Sequence, residues 1–147
     1  MYSKEEAKEI KRKFWITFAE KYPNKWILYN TKIKDFSLKF SVDNKKAEVS
    51  IDIECKEDNL RKIYYEKIES LKTILQEDYL PETQFERNYC LENGKKISRI
   101  WITKTNVSIN NPQTWNDIFK FLAQNMILLE SFFLEYEEYI KDLELNT

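Results

Sequence analysis

The length, composition and charge of the chain limit what it can do. Its 147 residues suffice for a single domain spanning 1–147, and the 15% aromatic content favours a buried core. The 24 basic and 25 acidic side chains leave a net charge of -1, so no overall positive field attracts nucleic acid. The lack of histidine excludes Ser-His, Cys-His and His-metal chemistry, and the single glycine, Gly94, is too few for a phosphate-binding loop.

The cysteines and the N-terminal residues indicate a compartment. Cys55 and Cys90 fall in apolar strand patterns without metal-ligand spacing, which is typical of reduced thiols in a cytosolic protein. The first residues are charged where a signal peptide needs an apolar run. No stretch reaches the ~18 apolar residues of a membrane span. We therefore expect a cytoplasmic protein without a membrane partner.

A helix and a short strand are predicted at the start of the chain. Ser3 and Glu6 fit a capping box, in which each side chain bonds a backbone amide at the helix start. Apolar residues at helical spacing then predict a helix over about residues 4–21, which Pro23 ends. KWILYN, residues 25–30, is an apolar run that predicts the first strand.

A hairpin follows, and its register can be predicted from its faces. FSLKFSV, residues 36–42, and AEVSIDIECK, residues 47–56, each alternate apolar and polar residues. With Asn44 and Lys45 at the centre of the turn, every apolar residue lies opposite another apolar residue. The predicted pairs are Val42–Ala47, Phe40–Val49, Leu38–Ile51 and Phe36–Ile53.

The second half of the chain predicts a helix and a second hairpin. Asp58 is the expected N-cap of an amphipathic helix that runs to about Tyr79. In QFERNYCLENGKKISRIWITK, residues 84–104, Asn93-Gly94 predicts a type I′ turn. One face of this hairpin carries Phe85, Tyr89, Leu91, Ile100 and Ile102, and the other carries Cys90, Ile97, Arg99 and Trp101.

A long helix is predicted at the end of the chain. Asn111 is the expected N-cap and Pro112 the first helical residue. One apolar stripe steps by four and three from Leu122 to Leu143 as a coiled-coil seam would. A second apolar stripe lies beside it, and we predict that it forms the contact of a homodimer. This second stripe consists of Phe121, Leu128, Phe132 and Tyr139.

These elements predict an α+β fold. The expected order is α-β-β-β-α-β-β-α, with a single antiparallel sheet of about five strands and three helices packed on its apolar face. No internal repeat, linker or low-complexity segment interrupts the chain.

Three stretches of the chain resemble a known family. They are the opening YSKEEA with the following FW, the hairpin FSLKFSVDNKKAEVSIDI and the hairpin ENGKKISRI. Together they resemble the bacterial family called domain of unknown function 4268, in the same order over nearly the whole chain. The resemblance implies a small cytosolic domain, found alone or as the C-terminal part of longer proteins whose other half looks like a restriction-endonuclease-type domain. No catalytic residues are established for the family.

One pattern is typical of a metal-dependent nuclease. The predicted register places Asp35 opposite Glu54, and Glu54-x-Lys56 has the spacing that such nucleases carry on a strand. Two carboxylates would bind a divalent cation, and the lysine would orient the attacking water. However, strict alternation predicts a sheet with one wet face, whereas the sheet of those nucleases is covered on both sides. We therefore expect a solvated strand end that needs no metal and no cofactor.

Two functions from different classes remain open. The first is a non-enzymatic interaction or accessory module, linked to DNA processing or defence, whose partner is a second copy or another protein. The alternative is a nuclease of restriction-endonuclease-like type, or an inactive relative. Arg99 and Trp101 form a candidate exposed aromatic site where single-stranded nucleic acid could stack, although the net charge does not support such a partner. The alternative for Trp101 is a ring covered by the chain termini or by the long helix.

Overall fold

The computed structural model describes residues 3–143 and has an α+β fold. Within that range four antiparallel strands form one sheet in the order β1-β2-β4-β3, and the elements follow the order α-β-β-α-α-β-β-α. The helices are α1 (Lys4–Lys21), α2 (Asp58–Ser70), α3 (Lys72–Asp78) and α4 (Trp115–Lys141), with a 3-10 turn at Pro112–Thr114 before α4. The strands are β1 (Phe36–Val42), β2 (Lys46–Ile53), β3 (Gln84–Cys90) and β4 (Lys96–Thr105).

The first helix begins as predicted. The Ser3 hydroxyl accepts a hydrogen bond from the Glu6 amide at 3.1 Å, and the Glu6 carboxylate accepts one from the Ser3 amide at 3.2 Å. This reciprocal capping box satisfies amides that have no partner inside the helix. The helix then places Phe14 and Phe18 in the core.

The β1–β2 hairpin has the predicted register. All four apolar pairs are present. Asp43 closes the turn, because its carboxylate accepts hydrogen bonds from the amides of Lys45 and Lys46 at 2.8 and 2.9 Å. In this register the odd-numbered residues of β1 bond to β2. Glu54 N donates to Asp35 O at 2.7 Å, just beyond one end of the strands.

The strand predicted over residues 25–30 is absent, so the sheet in the described part of the chain has four strands rather than five. Residues 22–35 form neither helix nor strand. Leu28, Lys32 and Asp35 have positive φ angles of 46°, 66° and 61°, which an extended strand does not allow. The apolar residues of KWILYN pack on the core from this irregular segment instead.

The second helix is broken at Leu71, so the described chain has four helices and not three. The Leu71 amide donates to Ile68 O at 2.9 Å, a bond that spans three residues and tightens the end of α2. The next helix starts immediately afterwards, and Leu71 itself packs half-buried against the core. Asp58 is the first helical residue rather than the N-cap, which is Glu57.

The β3–β4 hairpin is present, but its turn and one of its faces differ from the prediction. Gly94 has a φ of 86° and Asn93 does not share the positive angle, so the turn is not type I′. The amide of Gly94 donates to Leu91 O at 2.9 Å, which fits a three-residue loop closed by a glycine bulge. A second irregularity between Glu86 and Tyr89 moves Tyr89 to the opposite face from the predicted one.

The core lies between the sheet and the helices, on one face only. Within the helical layer Phe14 of α1 meets Trp115 of α4 at a ring distance of 5.3 Å, and Phe36 of β1 meets Phe133 of α4 across the two layers at 5.8 Å. Ile51 and Ile100, in the two central strands, are fully buried in this layer. Within residues 3–143, no helix has the length and apolar character that a membrane crossing requires.

Candidate functional site on the polar face of the sheet

The face of the sheet that points away from the helical core carries mainly polar side chains, and we call it the polar face. Alternation along each strand produces it, because neighbouring residues point to opposite sides of a sheet. The buried apolar cluster shared with the helices contains residues of the other face and none of these. The polar face comprises Ser37, Lys39, Ser41, Lys46, Glu48, Ser50, Asp52, Gln84, Glu86, Tyr89, Ile97, Arg99, Trp101 and Thr103.

An ion pair lies at the centre of the polar face. Arg99 on β4 stands directly opposite Asp52 on β2 and binds its carboxylate through two hydrogen bonds of 2.8 Å. Ser50 donates a third hydrogen bond to Asp52 at 2.9 Å. Burial lowers the pKa of Arg99, but Asp52 outweighs that effect and the net change raises it. Asp52 is only 1% exposed, so its charge depends on these partners.

A second acidic side chain of the polar face is also partnered. Glu48 accepts a hydrogen bond from the Thr103 hydroxyl at 2.7 Å, and Lys46 lies 3.5 Å from the same carboxylate. The guanidinium of Arg99 is 4.0 Å from its other oxygen. Glu48 is 6% exposed, so water solvates its carboxylate only slightly.

Glu54 lies at the edge of this network, between two lysines. Lys39 Nζ is 2.9 Å from one carboxylate oxygen, and Lys95 Nζ is 3.4 Å from the other. Burial raises the pKa of Glu54, but the two lysines outweigh it and the net pKa is lowered. Burial likewise lowers the pKa of Lys39, while Glu54 and Asp52 raise it above its usual value overall.

A cavity of about 340 Å³ opens at this end of the polar face. It brings together two of the predicted site residues, Asp35 and Glu54, with Tyr29 and Lys95. Lys56 is not among the lining residues; it is exposed, and β2 ends at Ile53 before the Glu54-x-Lys56 pattern begins. In the part of the chain that the structure describes, no three acidic or cysteine side chains form a group that could hold a metal ion.

The aromatic part of the polar face contains the predicted pair Arg99 and Trp101 together with Tyr89. The rings of Tyr89 and Trp101 meet edge to face at 5.3 Å, and the Arg99 guanidinium lies 4.4 Å from the centre of the Tyr89 ring. Trp101 is partly exposed, whereas Arg99 is 9% exposed and paired with Asp52. The alternating pattern pointed to Lys39 and Asp52 as residues of this face, but nothing in the sequence marked the bulge that places Tyr89 there.

The stripe predicted as a dimer contact does not form one exposed surface of α4. Phe132 is fully buried, with Tyr79 and Tyr136 at ring distances of 5.5 and 5.4 Å. Leu128 is 39% exposed, while Phe121 and Tyr139 are half-buried. The homodimer stays a prediction, and Leu128 is the most exposed of its four residues.

Residues 10–137 match the model of the family described as domain of unknown function DUF4268. The chain belongs to this family. No curated protein and no solved structure matches the DUF4268 chain. The family description attaches no activity to its members, so a proposal about function depends on the polar face itself.

Proposed function

We propose that this DUF4268 protein is a non-enzymatic interaction module that presents its polar face to a partner protein. An accessory role in DNA processing or defence accords with its resemblance to domains found beside restriction-endonuclease-type domains. The observation that carries the proposal is the mutual pairing of the charged side chains on that face. Asp52, Glu48 and Glu54 each have a cationic partner from the same face or from its edge.

This pairing argues against a metal-binding role for the carboxylates. A divalent cation must displace Lys39 and Lys95 from Glu54, and Arg99 from Asp52. The displaced Arg99 would then be a buried cation that keeps only its 4.0 Å contact with Glu48, and the loss of its main partner costs several kcal/mol. The carboxylates are therefore more stable in their ion pairs with the protein's own cations than as ligands of a metal ion.

The composition of the polar face indicates the class of partner. Its cations and carboxylates balance, so the face lacks the surplus of positive charge that phosphate backbones require. Tyr89 and Trp101 provide partly exposed rings beside the polar groups Gln84 and Glu86. Aromatic rings surrounded by paired polar groups are typical of protein interfaces. We therefore propose a protein partner, either another protein or a second copy of the chain.

One observation favours the alternative, a metal-dependent nuclease. Asp35 and Glu54 line the same cavity, and Asp35 has the positive φ angle often found at functional sites. Lys95 or Lys39 would then take the role first assigned to Lys56. This arrangement requires Glu54 to release its two lysines when the metal binds.

A direct experiment separates the two functions. The experiment compares the wild-type protein with Glu54→Gln and with a control, Glu57→Gln, because Glu57 is an exposed carboxylate outside the cavity. Each protein is titrated calorimetrically with Mg²⁺ and Mn²⁺ and is then assayed for cleavage of single- and double-stranded DNA. The interaction module predicts neither micromolar metal binding nor cleavage by any of the three. Metal binding and cleavage that Glu54→Gln abolishes and Glu57→Gln retains would establish the nuclease instead.

A further inference from the structure

The outer edge of β1 is only half covered by the rest of the chain. β1 is an edge strand, and its odd-numbered residues bond to β2, so the backbone groups of its even-numbered residues point outward. The segment before β1 satisfies the first part of this edge: Leu38 N donates to Leu28 O at 3.0 Å, Phe36 N closes a local turn onto Ile33 O at 3.3 Å, and the Thr31 hydroxyl donates to Phe36 O at 2.7 Å. Among the residues that the structure describes, no such segment bonds to the second part of the edge, at Phe40 and Val42.

The covering segment leaves the edge at Leu28. Leu28 has a φ of 46°, which turns the chain away from β1. The residues before it pass beneath the sheet, where the ring of Trp26 meets that of Phe40 at 5.4 Å. Within residues 3–143, no hydrogen bond joins the amides of Phe40 and Val42 to another part of the protein. Burial along β1 changes at the same place, from complete at Phe36–Leu38 to partial from Lys39 onward.

An aromatic groove of about 300 Å³ adjoins the open part of this edge. Its walls come from α1, from the segment before β1 and from Phe40, and they include the rings of Trp15, Tyr22 and Trp26. The exposed Ala19 leaves space on the helix side. A second cavity of about 200 Å³ shares Trp15, Leu28 and Phe40 and reaches Lys39 on β1. The groove and the unpaired backbone groups therefore form one continuous surface.

We propose that this surface binds an extended peptide of another protein, which adds a strand along Phe40–Val42 and inserts an apolar side chain into the aromatic groove. The inference goes beyond the proposed function, because it gives the interaction module a second binding site that lies at the edge of the sheet and not on the polar face. An added strand satisfies the outward backbone groups, and every second side chain of the peptide points toward the groove. The chain's own segment already bonds to this edge at one position, where Leu28 O accepts from the Leu38 amide.

The chemistry of the site favours a peptide over other occupants. Free backbone donors and acceptors in a row recognise another backbone, which a lipid or a nucleotide does not supply. None of the described residues that line the groove is charged, so the inserted side chain is aliphatic or aromatic. A second copy of β1 would fill the edge, but its own Phe40 ring is already packed against Trp26 and Phe18.

The test uses a phage-displayed library of random nonapeptides selected on the whole protein, followed by synthesis of the enriched sequence. Ala19→Arg fills the groove without removing any core group, and Ile16→Arg is the control because Ile16 is exposed on the same helix outside the groove. We expect Ala19→Arg to weaken binding at least about tenfold and Ile16→Arg to leave it unchanged.

Amide hydrogen exchange distinguishes strand addition from simple filling of the groove. With saturating peptide, the amides of Phe40 and Val42 should exchange at least about tenfold more slowly, whereas those of Lys39 and Ser41 already bond to β2 and should change little. Failure to select any peptide, equal binding to Ala19→Arg, or unchanged exchange at Phe40 and Val42 would overturn the proposal. So would a dimer in sedimentation that Ala19→Arg dissociates. These measurements involve neither metal binding nor DNA cleavage. The test of the proposed function can therefore fail or succeed independently of the peptide-binding test.

Discussion

The centres of the two faces of the sheet are both shielded from water, but by different means. On the face toward the helices, Ile51 and Ile100 are fully buried under apolar side chains of the helical layer. On the polar face, Asp52 and Ser50 are each 1% exposed, although the helical core lies on the other side. The long side chains of Arg99 and Lys39 surround them.

This difference shows that the central side chains of a sheet face can be buried without a layer of helices over them. On the apolar face the helices remove hydrocarbon from water, and the stability gained scales with buried area. On the polar face the charged groups bury one another, so shielding depends on each group keeping its partner. Among the described residues, no buried side-chain nitrogen or oxygen lacks a hydrogen-bond partner, which such a face requires.

The largest effect is expected from removing a ring on the apolar face. Phe133 is 1% exposed and packs against Phe36 at a ring distance of 5.8 Å. Phe133→Ala should lower the free energy of unfolding by about 3–5 kcal/mol, because it removes buried area and leaves a cavity. Urea denaturation measures the change, and the exposed Leu134→Ala on the same helix is the control. A loss similar to that of Leu134→Ala would mean that α4 does not cover this face.

The next effect is expected from breaking the central ion pair of the polar face. Asp52→Ala leaves Arg99 buried without its carboxylate and should cost about 3 kcal/mol. The double variant Asp52→Ala/Arg99→Met removes both charges and should recover most of that loss, because no unpaired charge remains. Urea melts of the two single variants and the double variant measure the coupling. Additive losses would show that the two side chains are solvated independently.

A smaller effect is expected from Glu54, at the edge of the polar face. Its pKa is held below the ordinary value of 4.5, so the charged form is favoured in the folded state. Its contribution to stability is therefore present above about pH 4.5 and is lost as pH falls through the folded pKa. Glu54→Gln should cost less than about 1 kcal/mol at pH 7, because water screens the pair, and nothing once the pH is below the folded pKa. Thermal melts of the wild type and Glu54→Gln across this pH range test the prediction. A difference in stability between the two proteins that persists in acid would contradict it.

The smallest effect should have the opposite sign, at a carboxylate on α4 itself. Burial raises the pKa of Glu130 above 4.5, although the Ile27 amide donates to it at 2.6 Å and acts against the shift. The folded state therefore favours the protonated form, and stability declines as pH rises from about 4.5 through the folded pKa. Glu130→Gln keeps an acceptor for Ile27 and should stabilise the fold by less than about 1 kcal/mol at pH 7, since partial exposure screens the charge. Thermal melts that show a loss at pH 7 and none in acid would reverse the assigned sign.

Regular alternation and capping chemistry could be read from the sequence, and local backbone irregularities could not. The capping box at Ser3 and the pairing of Leu38 with Ile51 were correct because short-range rules determine them. The strand predicted over residues 25–30 was wrong because propensity does not reveal that Leu28 has a positive φ angle.

The candidate site was predictable only in part, for the same physical reason. Alternation identified the polar face, and the register brought Asp35 close to Glu54. The partners of those carboxylates depend on side chains that are distant in sequence, such as Lys95 for Glu54 and Arg99 for Asp52. The bulge in β3 brings Tyr89 beside Trp101, and no pattern of residues in the sequence of that strand indicates it.

The central claim, that cations of the protein itself hold the carboxylates of the polar face, can be tested most directly with Mn²⁺. Backbone amide NMR signals are recorded while Mn²⁺ is added up to one equivalent, because the bound ion broadens signals only from residues around it. The account predicts no selective broadening at Asp35, Ser37 and Glu54, which line the cavity. Selective loss of these three signals in the wild type, restored in Glu54→Gln, would contradict it and would make the cavity a metal site.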